Sequence, residues 1–175
     1  MIQKCKKFIS EYQLIKPKDR ILIALSGGAD SVFLFYLLLQ RRGELELDLR
    51  AVHVEHGLRG DQSILDAQFV ERLCERYQIP LQEYRCNIAK SAQKSGRTIE
   101  EEARVVRYRF FEEISDMWEV DKIAIAHNAT DDVETILFHM IRGSGLIGLT
   151  GIRPIRERYI RPLLGITGKE IRTFL

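Results

Sequence analysis

The segment with the clearest chemical potential is residues 26–31, Ser-Gly-Gly-Ala-Asp-Ser, which stands between the apolar segments 21–25 and 32–39. Gly27 and Gly28 allow backbone angles that other residues avoid, and they leave N–H groups open to a ligand. At the start of a helix, the dipole adds further attraction for an anion. A Walker P-loop would need Lys followed by Ser or Thr, which this segment lacks. The pattern predicts a phosphate-binding loop of another kind, with a plain helix cap as the alternative.

Carboxylates form a second cluster in residues 127–135, where Asp131, Asp132 and Glu134 crowd the first turn of a predicted helix. The helix dipole favours each of them by about 0.3–1 kcal/mol, so capping alone explains one or two. A bound triphosphate carries about four negative charges, whereas a helix N-terminus offsets about half of one charge. A divalent cation among these acids would offset much of the rest. We predict a Mg²⁺ site formed by Asp30 with Asp131 or Asp132.

Two histidines, His53 and His56, stand three residues apart after another apolar segment. Zinc sites usually combine such a pair with cysteines or a further histidine at matching spacing, and the sequence has none here. We therefore expect His53 to line a nucleotide pocket or to cap the end of a strand. Arg59 is predicted either to reach a phosphate or to be a solvated loop charge.

Arginines on a predicted helix form another candidate group. Arg104, Arg107 and Tyr108 share one helix face with Glu100 at intervals of three and four residues. On spacing alone, a solvated helix surface is the simpler explanation of this pattern. From Arg142 onward there are seven basic residues against two acids. This excess is equally consistent with a polyanionic partner and with a solvated basic surface.

Apolar segments along the chain alternate between strand-like and helix-like patterns. Strands are predicted at 21–25, 47–54, 81–86, 122–126 and 159–164. Helices are predicted at 4–12, 32–41, 63–77, 98–118 and 130–142, with one more starting at Thr167. A polar stretch with Ser91, Ser95 and Gly96 precedes the long helix, whose expected buried stripe is Ile99, Ala103, Val106, Phe110, Ile114 and Met117. The alternation predicts an α/β fold, a doubly wound, Rossmann-like parallel sheet with helices on both faces.

This fold class brings the candidate residues together. In a doubly wound sheet, ligands bind beyond the carboxyl ends of the strands, where the strand order reverses. If the first strand is central, the loops that begin at Ser26, His53 and His127 meet in one crevice. We therefore expect the phosphate loop, the histidines and the acids to share a single site.

The composition fits a single domain over residues 1–175, with 45% hydrophobic and 30% charged residues and a net charge of only +2. The longest apolar run, 32–39, is far shorter than the ~20 residues of a membrane-spanning helix, so no membrane partner is expected. Cys5, Cys74 and Cys86 form neither a disulfide framework nor a Cys-x-x-Cys pair. A reducing, cytoplasmic location is the simplest fit.

With these segments identified, the chain resembles the tRNA(Ile)-lysidine synthases, members of the PP-loop ATP pyrophosphatase family. The resemblance runs in the family's order through the segments 26–31, 53–59, 104–108, 127–135, 142–151 and 161–164. Asn128 and Val133 depart from the family pattern, which more often has His and Gln at these positions. The joint pattern is far more specific than any one segment. It implies the adenine nucleotide alpha hydrolase-like version of the doubly wound fold.

The resemblance also implies a reaction at the wobble cytidine of an isoleucine tRNA with a CAU anticodon. ATP would adenylate the carbonyl oxygen of the base and release pyrophosphate. The ε-amine of free L-lysine would then displace AMP and leave lysidine. ATP and Mg²⁺ are the expected cofactors, and tRNA(Ile) and lysine are the expected partners. A homodimer is considered as well, although no residue pattern specifies it.

By the same resemblance, we assign roles to individual residues as hypotheses. The expected catalytic residues are Asp30, Arg104, His127 and Asp132. The expected nucleotide-binding residues are Ser26, Gly27, Gly28, Ala29, Asp30, Ser31, His53, Arg107 and Arg142. The expected metal ligands are Asp30, Asp131 and Asp132. His127 is placed near the reacting base, and the three arginines near phosphates or tRNA.

Family members usually carry further C-terminal domains that grip the tRNA. The last predicted helix reaches only from Thr167 to Leu175, and a helix this short is marginal. We therefore expect this chain to be the catalytic domain of a longer protein, without the tRNA-gripping domains.

Three other functions share parts of this pattern. A tRNA thiolase would use the same adenylation but needs paired cysteines, which this sequence lacks. A small-metabolite synthetase would share the loop, but we would not expect it to have the His-Gly-Leu-Arg and Arg-Gly-Ser-Gly segments. A non-catalytic module that binds adenine nucleotide would have less need of the acids at 131, 132 and 134.

Overall fold

The computed structural model describes residues 1–55, 57, 61–143 and 150–174. Its strands are β1 (Arg20–Ala24), β2 (Asp48–Glu55), β3 (Leu81–Arg85), β4 (Lys122–Ala124), β5 (Ile155–Arg156) and β6 (Tyr159–Ile160). Its helices are α1 (Ile2–Glu11), α2 (Ala29–Leu45), α3 (Asp61–Arg76), α4 (Ile88–Ser95), α5 (Ile99–Met117), α6 (Ala129–Ile141) and α7 (Gly168–Phe174). None of the described helices is both long and apolar enough to span a bilayer.

Strand β1 is central, which is the condition under which the loops after β1, β2 and β4 meet in one crevice. It pairs in parallel with β2 on one side and with β4 on the other, in a sheet of order β3-β2-β1-β4-β6-β5. Only β5 runs antiparallel, as one half of a hairpin with β6. The strand order reverses at β1, so its carboxyl end is the switch point of a doubly wound sheet. The predicted fold class is therefore confirmed.

Apolar side chains alternate between the two faces of β1 and form two cores. Ile21, Ile23 and Leu25 pack with side chains of α1, α2, α3 and α7 on one face. Leu22 packs on the other face with Phe110 and other residues of α5. Both faces of the sheet are thus covered by helices, which a buried parallel sheet requires.

The polar stretch before the long helix, for which no helix is predicted, contains helix α4 at residues 88–95. Asn87 caps this helix by accepting a hydrogen bond from the N–H of Lys90 at 3.0 Å. Ile88 and Ala92 are buried, and α4 packs against α5. Two apolar residues and a cap are a weak sequence signal for a helix of eight residues, so tertiary packing decides this element.

The predicted apolar stripe of α5 reaches the core only in part, and α6 is covered still less. In α5, Ile99 and Met117 are 48% and 68% exposed, because they lie at the two ends of the helix. Helix α6 has no buried residue, and its Leu137 and Ile141 are 52% and 86% exposed. Helical spacing therefore identifies both helices correctly but overstates how much of each is covered.

Candidate active site at the carboxyl edge of the sheet

Residues 26–28 connect β1 to α2, and residues 29–31 form the first turn of that helix, so the loop lies between strand and helix as predicted. Gly27 has φ +87°, a conformation that favours glycine. A Cβ there would also lie 3.4 Å from the Cβ of Asp66. Gly28 is the N-cap of α2 and offers no side-chain hydrogen bond to the first turn. The amide groups at this helix end are therefore left to an outside acceptor such as phosphate.

The two serines of the loop have different tasks. The buried Ser31 hydroxyl donates to the Gly28 carbonyl at 2.8 Å and accepts from the Ser26 N–H at 3.2 Å. The exposed Ser26 hydroxyl donates to Ser31 Oγ at 3.1 Å. Ser31 thus holds the shape of the loop, whereas Ser26 presents a hydroxyl at its surface.

Asp30 joins the loop to the segment that follows β4. Its Oδ2 accepts a hydrogen bond from Asn128 Nδ2 at 3.1 Å. Its Oδ1 is buried and has no hydrogen-bond partner among the described residues. Burial, and then the charge of Asp131, raise the pKa of Asp30. A buried, unpaired carboxylate oxygen close to a second carboxylate is the arrangement that a cation would stabilise, so these residues fit Mg²⁺.

Asp131 and Asp132 point to different partners. Asp131 Oδ2 accepts from the Asn128 N–H at 2.8 Å and completes a capping box at the start of α6. Asp132 Oδ1 accepts from the Ile152 N–H at 2.5 Å. Among the described residues, no three His, Cys, Asp or Glu side chains are grouped as a metal cage. Mg²⁺ commonly takes one or two carboxylates together with substrate phosphates, which favours Asp30 and Asp131 over Asp132.

His53 is a buried residue at the end of β2, and its Nδ1 lies 2.8 Å from the Leu25 carbonyl oxygen. A carbonyl only accepts, so Nδ1 carries the proton and donates. The ring thus ties β2 to the start of the phosphate loop, which matches the expected capping role. Its role in nucleotide binding stays a prediction. The neighbouring His56 and Arg59 lie outside the described residues.

His127 follows β4 and receives a hydrogen bond that the sequence does not predict. Arg161, just after β6, donates from Nε to His127 Nδ1 at 3.2 Å. Burial, and then the charge of Arg161, lower the pKa of His127 to about 4. Arg161 stands in one of the segments that carry the family resemblance, but spacing along the chain gives no sign of its contact with a residue 34 positions away.

Of the three predicted phosphate-binding arginines, Arg142 lies at the far end of α6 from the phosphate loop. Arg104 and Arg107 lie in the first half of α5, and their charges contribute to the low pKa of His127. Arg142 ends α6, and its guanidinium stacks 4.2 Å from the centroid of the Phe138 ring. Helix α6 separates Arg142 from Asn128 by about 20 Å at 1.5 Å per residue. The structure therefore brings the first two near His127 and places Arg142 apart from the phosphate loop.

A cavity of about 370 Å³ lies between α5 and the β5–β6 hairpin. The Arg104 guanidinium lies 5.3 Å from the Tyr108 ring centroid, and the Tyr108 and Tyr159 rings lie 5.1 Å apart. The residues that line it are Arg104, Tyr108, Arg109, Glu112, Arg156, Glu157, Tyr159 and Arg161. Since Arg161 also contacts His127, this cavity adjoins the candidate active site. We call it the arginine pocket.

A larger cavity of about 610 Å³ lies elsewhere, where β3 begins. It is lined in part by Glu71, Glu75 and Glu83. These acids would repel a phosphate, and the start of β3 lies at the edge of the parallel sheet opposite to the phosphate loop. This cavity is therefore not part of the candidate site.

A family model described as the PP-loop domain matches residues 1–175. The chain belongs to the PP-loop domain family. PP-loop enzymes use ATP, in agreement with the phosphate loop at residues 26–31.

This PP-loop domain is similar in sequence to curated tRNA(Ile)-lysidine synthases. It is 42% identical over 175 residues to the tRNA(Ile)-lysidine synthase of Clostridium perfringens strain 13, covering 99% of this chain and 37% of that protein. It is 41% identical to the tRNA(Ile)-lysidine synthase of Caldanaerobacter subterraneus, covering 100% of this chain and 38% of that protein. The resemblance identified from the sequence motifs is confirmed. The PP-loop domain spans somewhat more than a third of the length of these relatives.

A solved structure supports the fold. The U34-tRNA thiolase NcsA from Methanococcus maripaludis with its 4Fe–4S cluster matches this PP-loop domain with a TM-score of 0.79 and 21% identity. The match covers 98% of this chain and 61% of the thiolase chain. At this identity, the likeness shows the shared fold alone.

Proposed function

We propose that this protein modifies the wobble cytidine of tRNA(Ile) with a CAU anticodon, joining it to free L-lysine at the expense of ATP. The sequence identity of about 40% to tRNA(Ile)-lysidine synthases, over the whole chain, supports this function. Because the chain spans only part of those relatives, the activity, the substrates and the partners are all part of the proposal.

One observation carries the choice of a nucleic-acid substrate. The arginine pocket adjoins His127, whose neighbour Asn128 is bonded to Asp30 of the phosphate loop. Arginines beside tyrosine rings offer ion pairs to phosphates and stacking surfaces to bases. Together with the similarity to tRNA(Ile)-lysidine synthases, this surface favours a nucleic-acid substrate over a small metabolite.

In the first step, the carbonyl oxygen of the cytosine ring attacks the α-phosphorus of ATP. The bond from that phosphorus to the bridging oxygen breaks, and pyrophosphate leaves with the electron pair. The N–H groups at the start of α2, with the Ser26 hydroxyl, would hold the pyrophosphate. Asp30 and Asp131 would hold Mg²⁺, which when bound offsets phosphate charge.

In the second step, the ε-amine of lysine attacks the activated ring carbon. The carbon–oxygen bond breaks, AMP leaves and the amine gives up a proton. Adenylation makes the oxygen a good leaving group, so the protein mainly positions its substrates and stabilises charge. Arg104 and Arg107 lie near His127, where they would offset charge on AMP or on the tRNA backbone.

The cysteines weigh against a thiolase. Burial raises the pKa of Cys5 to about 11 and that of Cys74 to about 12, so neither is a ready nucleophile. Cys86 donates a hydrogen bond from Sγ to the Glu55 carbonyl at 3.4 Å. In the described part of the chain, these cysteines do not come together as a group that could hold a metal or cluster.

The test is to incubate the protein with ATP, labelled lysine and tRNA(Ile) with a CAU anticodon. We expect label in the tRNA and equal amounts of AMP and pyrophosphate. The control is the same tRNA with uridine in place of the wobble cytidine, which should take up no label. Absence of label from the unaltered tRNA, or a modification that requires a sulfur donor, would overturn the proposal.

Two further expectations stay predictions. A cytoplasmic location is tested by fractionation of the source cells. The homodimer is tested by sedimentation of the protein at several concentrations, where a concentration-independent monomer mass would contradict it.

A further inference from the structure

The hydrogen bond between Arg161 and His127 determines which ring nitrogen carries a proton. A guanidinium only donates, so the His127 Nδ1 atom at 3.2 Å from Arg161 Nε must be the acceptor. A neutral imidazole has one proton, which must then lie on Nε2. His53 is the opposite case, because its Nδ1 faces the Leu25 carbonyl and has to donate.

Arg161 is well placed to keep His127 in the tautomer that carries its proton on Nε2. Its side chain is 6% exposed, and its NH1 group donates to the Arg153 carbonyl at 2.8 Å. In the part of the chain that the structure describes, no carboxylate forms an ion pair with Arg161. Its charge therefore acts directly on the ring.

A second proton on His127 would lie next to the positive charge of Arg161. Arg104 and Arg107 oppose that proton as well, whereas Asp131 favours it. The pKa of His127, lowered to about 4, agrees with a ring that is neutral at physiological pH.

We propose that Arg161 is a positioning residue that holds His127 as the neutral imidazole with its proton on Nε2, so that His127 donates a hydrogen bond to ATP and does not act as a base. With Nδ1 occupied and Nε2 protonated, the ring has no free lone pair to take the proton of the lysine amine. That proton must go elsewhere.

The α-phosphate oxygen is the acceptor that this tautomer suits best. Donation to the attacking carbonyl oxygen would make that oxygen a poorer nucleophile, whereas charge on the phosphate oxygens has to be stabilised during transfer. His127 follows β4 directly beside the strand that leads into the phosphate loop. This assignment of the acceptor rests on the proposed function, whereas the tautomer does not.

The tautomer is measured by long-range proton–nitrogen NMR of the nitrogen-labelled protein near pH 7. We expect His127 to have an unprotonated Nδ1 and a protonated Nε2, and His53 to show the reverse in the same spectrum. The variant His127→Gln assigns the signals, and His53 serves as the internal control for a folded site. A protonated Nδ1 on His127 in the unaltered protein would overturn the proposal.

Two substitutions then test whether Arg161 is responsible. In Arg161→Met the ring should exchange between tautomers, and kcat for ATP–pyrophosphate exchange should fall by about 100-fold with KM for ATP little changed. Arg161→Lys keeps a donor and should recover the tautomer and part of kcat. An unchanged tautomer in Arg161→Met contradicts the proposal. If that variant does not fold, Arg161→Gln replaces it, because an uncharged amide can donate or accept and should also allow both tautomers.

The two proposals fail separately. A correct tautomer in a protein that transfers no lysine leaves the positioning role intact and removes the proposed function. Lysine transfer by a protein whose His127 carries its proton on Nδ1 does the opposite.

Discussion

Asn128 Nδ2 donates a hydrogen bond to Asp30 Oδ2 at 3.1 Å and so joins two segments that are 98 residues apart. The same side chain caps α6, because its Oδ1 accepts from the Thr130 N–H at 2.7 Å. Asn128 is 3% exposed, and its amide has partners on both sides. One of the two positions at which the sequence departs from the expected family pattern, Asn128, is thus the link between the phosphate loop and α6.

This double role predicts different losses for two substitutions of Asn128. Asn128→Ser keeps a cap for α6 but cannot reach Asp30, whereas Asn128→Ala loses both contacts. We expect Asn128→Ala to be less stable than Asn128→Ser by about 1 kcal/mol in chemical unfolding. Both should lower ATP–pyrophosphate exchange. Equal stabilities would contradict the capping role, and exchange at the normal rate in Asn128→Ser would contradict the link to Asp30.

Asp30 is expected to be essential for the ATP reaction. Asp30→Asn keeps the size of the side chain but removes the charge that would hold Mg²⁺, so tRNA-dependent ATP–pyrophosphate exchange should fall at least about 100-fold. Raising the Mg²⁺ concentration should restore part of the rate. The matched control is Asp116→Asn, which breaks only an exposed ion pair with Arg158. Normal exchange by Asp30→Asn would remove this carboxylate from the mechanism.

The arginine pocket predicts a salt-dependent contact with tRNA. Arg156 lines the pocket with an exposed side chain, and Arg156→Ala should weaken tRNA binding. The slope of log affinity against log salt should decrease by about 0.7–0.9 for each lost phosphate contact. Arg72→Ala, an exposed arginine on α3, is the control and should leave the slope unchanged. Equal slopes for the two variants would place the tRNA elsewhere.

The hydrogen bonds that Glu102 accepts predict that the folded protein becomes less stable in acid. This buried carboxylate accepts hydrogen bonds from Ser91, Ser95 and Arg97, and the two serine bonds are the main causes that lower its pKa to about 2. A lowered pKa in the folded state stabilises the protein above the ordinary pKa of 4.5, and this contribution disappears as the pH falls towards 2.

The variant Glu102→Gln tests this contribution. It should be less stable than the unaltered protein at pH 7 and should show a flatter pH dependence of unfolding free energy between pH 5 and 2. Glu170, whose pKa is lowered to about 2 chiefly by Lys4, contributes in the same window, so Glu102→Gln removes only part of the dependence. Parallel pH profiles would show that Glu102 is not involved.

Replacing either of two glycines by alanine should change the stability of the protein, in opposite directions for the two positions. Gly27 has φ +87°, so Gly27→Ala should strain the loop, destabilise the protein by more than about 1 kcal/mol and weaken ATP binding. Gly43 lies within α2, and a Cβ there would meet nothing within 4 Å. Gly43→Ala should stabilise the protein by about 0.5–1 kcal/mol. Thermal unfolding with and without ATP measures both.

Local patterns predicted most of the scaffold correctly. The capping box of Thr98 and Glu101 lies at the start of α5, and that of Thr167 and Glu170 lies at the start of α7, because such boxes need only residues close in sequence. Helix α4 was missed, since its stability depends on Glu102 and on the apolar face of α5. The hairpin partner β5 was missed as well, because two exposed residues carry no strand pattern.

The sequence alone was enough to identify the phosphate loop, the alternation of strands and helices, and the family, since these depend on residue types at short spacing. Only the tertiary structure decided which side chains meet there. It brought Asp30 to Asn128, turned Asp132 to the Ile152 N–H and placed Arg161 on His127. These contacts join residues far apart in the chain, and they depend on strand register and side-chain direction, which spacing along a sequence does not determine.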